Sequence, residues 1–248
     1  RYILRRGKMR RMPLSMSELL QLGWRASVRR GKGNYLSVED WAEYHLGKGA
    51  VDNLLTPFIS GIYASNPHEI SVAAAFPRLA VSPNQSLIGK LLSERNSSSK
   101  KSRAQMAAPA LGMQSVCSAL EGYLQTALKD RFKKNLRLTE IPGEKNVIFC
   151  VPAYELAQLL KTADPASANE LEKVFYVPLI SVTVFAEKRW FKKNPTGVGV
   201  LLSANESQDH SKQNILGILF NSSAFEERVN DPELCSFTVM LGGSQNRE

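Results

Sequence analysis

Hydrophobic positions in the first half of the chain recur every three or four residues, which is the period of an amphipathic helix. Ser15 and Glu18 have the spacing of a capping box, in which each side chain bonds the backbone of the other residue at a helix start. Leu20, Trp24 and Val28 then follow at four-residue intervals as one apolar stripe. We therefore predict a helix that begins after Ser15 and turns this stripe inward.

Ser37 is the predicted N-cap of a second helix, because Glu39 and Asp40 would then lie in its first turn, where the helix dipole favours acids. Residues 50–56 are predicted to form a further short helix that Pro57 limits or kinks, since proline lacks the backbone N–H that a helix interior needs. The predicted inner face of the second helix consists of Val38, Trp41, Ala42 and His45.

The second half of the chain changes from helical to strand-like patterning. The polar stretch 93–102 has no periodicity and is predicted to be a loop, whereas 113–132 shows one apolar stripe at helical spacing. Short apolar runs typical of strands follow from residue 146. Because few helical patterns separate these runs, we predict an α+β fold with a helical lobe beside a mixed or antiparallel sheet. The predicted strands lie within 147–152, 174–187, 198–204, 215–222 and 236–243.

Composition fits a globular protein in a reducing compartment. Of 248 residues, 43% are hydrophobic, and no apolar run approaches the ~20 residues that span a bilayer. Cys117, Cys150 and Cys235 are too widely spaced for a zinc site or a disulfide framework, and the three histidines are equally scattered. We therefore predict no metal site.

The net charge of +9 is concentrated at the start of the chain. Residues 1–33 contain ten of the 32 Lys and Arg but only one acid, Glu18. Such a basic face attracts lipid head groups, nucleic acid or an anionic ligand, although a solvated edge explains it equally well. The chain has no zinc finger or aromatic RNA-binding motif, and we predict Trp24 and Trp41 to be core residues, so nucleic acid is not the predicted partner.

Self-contained catalytic motifs are missing from the sequence. Gly197 and Gly199 imitate the start of a dinucleotide fingerprint, but the third glycine is absent and the pair opens a predicted strand. The sequence contains no P-loop, no H-E-x-x-H and no G-x-S-x-G. We therefore assign no catalytic side chain.

Four ordered blocks nevertheless resemble one enzyme family. The blocks are RYILRRGKMRRMP, LSVEDWAEYHLG, PFISGIYASNPHEISVAAAFPRL, and ILGILFNSSAFEER followed by FTVMLGGS. Each resembles the segment at the same place in protoporphyrinogen oxidases of the flavin amine oxidase superfamily. The matching positions in the third block are Pro57, Phe58, Gly61, Tyr63, Ala64, Pro67, Ile70, Ser71 and Phe76.

The resemblance implies FAD-dependent oxidation of protoporphyrinogen IX to protoporphyrin IX, with oxygen as acceptor, in haem biosynthesis. Family members carry one FAD-binding segment before the first block and another after the last, and the sequence contains neither. We therefore expect a fragment that retains the substrate-binding and helical lobes of the parent enzyme and is inactive alone. A naturally short or divergent relative is the alternative.

The resemblance also implies a tetrapyrrole site. It places Arg1 near a propionate, and a guanidinium can pair a carboxylate through two hydrogen bonds. It places the other residues along the ring: Gly197, Val198, Gly199, Leu201, Phe220 and Met240.

A membrane contact follows from the same resemblance, because the family's helical lobe is membrane-associated. The expected contact residues are Leu20, Trp24, Arg25, Arg29 and Arg30, which combine apolar and basic side chains as a monotopic contact with anionic lipid requires. The expected location is cytoplasmic, with peripheral association at the inner membrane. A homodimer is compatible with the sequence.

We divide the chain by this resemblance into three parts. Residues 1–16 are the predicted strand pair of the substrate-binding sheet, 17–112 the helical lobe, and 113–248 a long helix with the rest of that sheet. Two rival functions stay open: another flavin amine oxidase or desaturase, and a non-catalytic module that binds tetrapyrrole or lipid.

Overall fold

The computed structural model describes residues 1–79, 81–97, 107–143, 146–203 and 215–244. The strands are β1 (Tyr2–Arg5), β2 (Lys8–Arg10), β3 (Leu179–Glu187), β4 (Gly199–Leu202), β5 (Ile215–Phe220) and β6 (Leu234–Gly242). The helices are α1 (Met16–Val28), α2 (Val38–His45), α3 (Lys48–Ala50), α4 (Thr56–Tyr63), α5 (Val72–Ala75), α6 (Leu87–Ser97), α7 (Gln114–Leu128), α8 (Ala153–Leu160), α9 (Pro165–Glu172) and α10 (Asn221–Ala224).

The strands form one mixed sheet in the order β2-β1-β4-β5-β6-β3. Only β1 and β4 pair in parallel among these strands; all other neighbours are antiparallel. A parallel pair needs a long crossover, and here the crossover carries α1 to α9. This arrangement confirms the predicted α+β class.

Side-chain alternation gives the sheet two faces, which we name by what lies on them. The helix face carries Leu201, Leu219 and Met240 and is contacted by α4. The pocket face carries a small core around four buried residues with partly buried neighbours such as Ile218. The four buried residues are Val200, Phe220, Cys235 and Phe237.

The helical lobe has its own core, to which α1, α2, α4, α5 and α6 contribute buried side chains. The predicted inner face of α2 is confirmed, because none of its four residues is more than 2% exposed. The imidazole Nε2 of His45 lies 2.7 Å from the Tyr35 hydroxyl, and burial lowers the pKa of His45. His45 is therefore a neutral core residue.

The chain stays helical through Pro57, where the sequence predicts a limit or kink. A π-helical turn, Val51–Leu55, joins α3 to α4, and the Thr56 N–H bonds the Val51 carbonyl. Pro57 lies in the first turn of α4, a position whose N–H needs no helical partner. Because the helix changes pitch before Pro57, the missing N–H of the proline leaves no helical hydrogen bond broken, and the helix continues.

The predictions for three other segments have different outcomes. Residues 147–152 form no strand, and β3 begins at Leu179 although the apolar run begins at 174. The polar stretch predicted as a loop belongs to α6 as far as Ser97; its last residues, 98–102, lie outside the described residues. The predicted helix within 113–132 is confirmed as α7.

Contacts divide the chain into two compact units, at different points from our sequence-based boundaries. One unit comprises Arg1–Met106 with Val177–Glu248, and therefore contains both the sheet and the helical lobe. The other is Ala107–Tyr176 and contains α7, α8 and α9. In this second unit α8 packs on α9, with Ala157 and Ala168 buried.

Candidate functional site

Leu201 and Met240 share the helix face of the sheet. Each pairs with Gly217 of β5, so the two side chains flank a glycine in one row across three strands. A glycine leaves this row without a central side chain. The strand register thus brings together two residues that lie 39 positions apart in the sequence.

Helix α4 fixes the position of Leu201. A Cβ atom on Gly61 would lie 2.3 Å from Leu201 Cδ2, closer than side chains tolerate, and a Cβ on Gly217 would lie 3.0 Å from the same atom. The leucine side chain therefore occupies space that two glycines leave open. The end of α4 is tied to the end of β6, because the Ser244 N–H donates to the Ala64 carbonyl at 2.8 Å.

Phe220 does not join this group. It lies on the pocket face, 5% exposed, with its ring edge-on to Phe237 at a centroid distance of 5.8 Å. Its neighbour Leu219 lies on the helix face with 45% of its surface exposed, so it shares the face of Leu201 and Met240. The register of β5 against β4, which pairs Leu219 with Gly199, is the signal that identifies Leu219.

Arg1 and the glycine-rich turn meet at one end of the sheet. Tyr2 pairs with Val200, and a Cβ on Gly197 would lie 4.0 Å from the backbone nitrogen of Arg1. Arg1 itself is exposed. The half-buried Val198 contributes its carbonyl, which accepts the Phe220 N–H at 2.9 Å.

A partly buried ion pair joins β1 to the helical lobe. Both oxygens of Glu18 accept hydrogen bonds from Arg5 at 3.0 Å, and one also accepts from Asn53 Nδ2. Burial raises the pKa of Glu18, but hydrogen bonds from Arg5 and Ser15 outweigh it and lower the pKa to about 2 from 4.5. The carboxylate is therefore charged at neutral pH.

The site can bind an apolar ligand but has no acid–base machinery of its own. The three candidate residues on the helix face, Leu201, Leu219 and Met240, have aliphatic or thioether side chains. Among the described residues, no group of three or more histidines, cysteines or carboxylates could hold a metal ion. Any redox chemistry at this face would therefore depend on a cofactor.

Helix α1 presents its apolar stripe to the surface, so the inward orientation predicted for it is wrong. Leu20 is 68% exposed and Trp24 57%, and Trp24 is not the predicted core residue. Trp41 is in the core, as predicted. Within the described residues, no helix is both long enough and apolar enough to cross a membrane.

The arginines near this stripe make structural contacts. Arg25 is half-buried and donates to the Glu43 carbonyl at 2.9 Å, at the end of α2. Arg29 lies over the Tyr44 ring at 5.0 Å, and Arg30 donates to the Asn84 carbonyl at 2.5 Å. Arg25 thus serves mainly to join α1 to α2.

The fold defines a class: a mixed sheet with a helical lobe inserted after its first strand pair, and with apolar side chains on the face that α4 contacts. Comparison with known proteins makes the class more specific. No protein-family model matches the chain. The chain is similar to protoporphyrinogen oxidases over nearly its whole length, which confirms the resemblance of the sequence blocks.

Two relatives and one solved structure illustrate the similarity. Protoporphyrinogen oxidase 1, chloroplastic, of Spinacia oleracea is 26% identical over 99% of this chain and 51% of its own length. The protoporphyrinogen oxidase of Homo sapiens is 28% identical over 96% of this chain and 54% of its own. The crystal structure named "Putative protoporphyrinogen oxidase" from Exiguobacterium sp. 255-15 has 19% identity and a TM-score of 0.63, over 95% of this chain and 52% of that one, and shows the shared fold. The chain spans about half the length of the curated relatives it matches.

Proposed function

We propose that this chain is the substrate-binding part of a protoporphyrinogen oxidase-type oxidoreductase. The observation that carries the proposal is similarity to these enzymes over 99% of the chain, together with the position of Leu201 and Met240, which the resemblance assigns to substrate, in one row of the sheet. In the complete enzyme, FAD bound by other segments would supply the redox chemistry, with oxygen as the acceptor.

The helix face is the proposed seat of the macrocycle. Leu201, Leu219 and Met240 form an apolar strip there, beside α4. A porphyrinogen is a broad apolar ring with carboxylates only at its rim, so it needs apolar walls and a cation at one side. Arg1 supplies the cation at the end of β1, where its guanidinium can pair one propionate.

The described residues do not fit FAD. Gly197 and Gly199 lead into β4, a strand, whereas a dinucleotide phosphate needs a glycine-rich turn that opens a helix. What this chain contributes is binding and orientation of the tetrapyrrole.

The test is a fluorescence titration of the 248-residue chain with protoporphyrin IX, for the wild type and two matched variants. Leu219→Asp places a charge on the helix face and should weaken binding at least about tenfold, because an unpaired carboxylate beside an apolar ring is costly to desolvate. Ile180→Asp is the control, since Ile180 is a 63% exposed strand residue on the other face. Equal affinities of the two variants would contradict the assignment of the helix face.

A peripheral membrane contact is the second part of the proposal. It rests on the exposure of Met16, Leu20, Trp24 and Val28, which form one continuous stripe along α1. A helix with an exposed apolar stripe and nearby arginines can lie in the interfacial plane of an anionic bilayer. The complete enzyme would then take its apolar substrate at the membrane surface.

A further inference from the structure

The pocket face of the sheet holds a cavity that the proposed porphyrinogen site does not use. Its volume is about 590 Å³, which is within the range of small-molecule sites. The floor consists of side chains from four adjacent strands: Val184, Ala186, Val200, Ile218, Phe220, Phe237 and Val239. All of them are apolar, so the floor matches an apolar body.

The loop after β3 forms one wall of this cavity. Phe191 lies against Phe237 with a centroid distance of 5.7 Å, and residues 193–196 continue the wall toward β1. Because Phe191 is anchored on the sheet core, the loop is positioned before any ligand arrives. A preformed wall lowers the ordering cost of binding.

The rim of the cavity is cationic. Lys193 lines it, and Arg11 lies 5.6 Å from the centre of the Tyr2 ring, with a guanidinium nitrogen 3.4 Å from the Tyr2 hydroxyl. A hydrogen bond from Thr196, then the one from Arg11, lowers the pKa of Tyr2. No carboxylate of the described residues lines the cavity or forms an ion pair with Lys193 or Arg11.

We propose that this cavity binds an anionic amphiphile, with its apolar body on the phenylalanine floor and its carboxylate at Lys193. The charge of the rim and the apolar floor are complementary to the two ends of such a molecule. A neutral apolar ligand would leave the rim unused, and a small polar anion would leave the floor exposed to water. The site lies on the opposite sheet face from Leu201, Leu219 and Met240.

Calorimetric titration of the full chain with dodecanoate and dodecanol tests the proposal. Lys193→Ala should weaken dodecanoate binding about threefold, the scale of one partly exposed charge pair, and leave dodecanol binding unchanged. Lys192→Ala is the matched control, because Lys192 is adjacent to Lys193 in sequence but does not line the cavity. Ala186→Trp should fill the cavity and abolish binding of both ligands, with melting curves showing that the variant is folded.

Specific outcomes overturn the proposal. The proposal is wrong if the chain does not bind dodecanoate, or if the two lysine substitutions have equal effects. It is also wrong if a folded Ala186→Trp variant still binds dodecanoate. Leu219→Asp should not change dodecanoate affinity, so failure here is separable from failure of the porphyrinogen site. The anionic amphiphile could be a tetrapyrrole carboxylate or a chain-like lipid acid, and competition in the Leu219→Asp variant distinguishes them. Displacement of dodecanoate by protoporphyrin IX indicates a tetrapyrrole carboxylate. No displacement indicates a chain-like lipid acid.

Discussion

Three elements of the fold meet at Glu18. It caps α1 through Ser15, pairs with Arg5 of β1 and accepts from Asn53 of the π-helical turn. Its side chain is only 17% exposed. A carboxylate in this position joins the sheet to the helical lobe, so its loss should destabilise both parts.

We expect Glu18→Gln to lower the free energy of unfolding by about 3 kcal/mol, because it leaves the partly buried Arg5 guanidinium without its counter-charge. Urea denaturation measures the change. Glu43→Gln is the matched control: Glu43 is an exposed helical glutamate 3.6 Å from Lys48, and its removal should cost less than about 1 kcal/mol. If Glu18→Gln lowers the free energy of unfolding no more than Glu43→Gln does, the pair of Arg5 and Glu18 contributes no more to stability than an exposed ion pair.

The lowered pKa of Glu18 predicts that the free energy of unfolding falls at acid pH. Its pKa is about 2 in the folded protein and 4.5 ordinarily, so the unfolded chain binds the proton more readily. The stabilisation is complete above pH 4.5 and declines as the pH falls toward 2, by about 3 kcal/mol in total. Unfolding measured across this range should show a shallower decline in Glu18→Gln than in the wild type; parallel curves would contradict the assignment.

Gly61 offers a test of the contact between α4 and Leu201. Gly61→Ala should displace the Leu201 side chain, whose Cδ2 would lie 2.3 Å from the new methyl group, and so weaken protoporphyrin binding several-fold. Gly122→Ala in α7 is the matched control, because no atom lies within 4 Å of its Cβ position and alanine stabilises a helix by about 1 kcal/mol. An unchanged porphyrin affinity in Gly61→Ala would show that Leu201 does not contact the ligand.

At the scale of the element, α1 shows why a periodic stripe does not by itself identify a core. Leu20, Trp24 and Val28 have the spacing of a buried face, yet more than half of the surface of each is exposed. The pattern fixes which residues share a side of the helix but not what covers that side. Only tertiary packing, in which α1 contacts α2 and α6, reveals that Ala26 is its buried residue.

The exposed stripe predicts vesicle binding. Trp24→Asp should weaken sedimentation of the chain with anionic phospholipid vesicles by about tenfold or more, since a carboxylate replaces a large apolar side chain at the lipid surface. Leu111→Asp is the control, because Leu111 is 89% exposed but lies outside α1. Equal retention of vesicle binding by both variants would remove α1 from the membrane contact.

The π-helical turn before Pro57 is an element that local rules could not predict. Proline signals a helix break when only hydrogen-bond donors are counted. Here the Thr56 N–H bonds the carbonyl five residues back, and the helix continues with buried Val51 and Ile59 on either side. Tertiary burial on both sides of the turn favours continuity over interruption.

At the scale of the whole molecule, the class of fold was predictable but the faces of the sheet were not. Period-2 runs indicated strands near the observed β3 to β6, and the period of α2 gave its inner face. The pairing of β1 with β4 joins residues almost 200 positions apart, which no local pattern encodes. Alternation along the strand puts Phe220 and Leu219 on opposite faces, but only the register shows which of the two shares a face with Leu201 and Met240.

The segment at 147–152 illustrates the same limit. It is apolar enough for a strand, but it belongs to the unit Ala107–Tyr176, in which helices α7, α8 and α9 are the regular elements among the described residues. A strand needs a partner edge as well as a favourable composition. Composition alone therefore predicted one strand too many.

The most direct test of the central proposal compares ligands on the unmodified 248-residue chain. Protoporphyrin IX should bind saturably with one molecule per chain on the helix face; its dimethyl ester should bind more weakly, and Arg1→Ala should remove that difference. Benzylamine, which represents the amine oxidase alternative, should not compete. Absence of saturable porphyrin binding, or displacement of the porphyrin by benzylamine, would contradict the assignment of this chain as the substrate-binding part of a protoporphyrinogen oxidase.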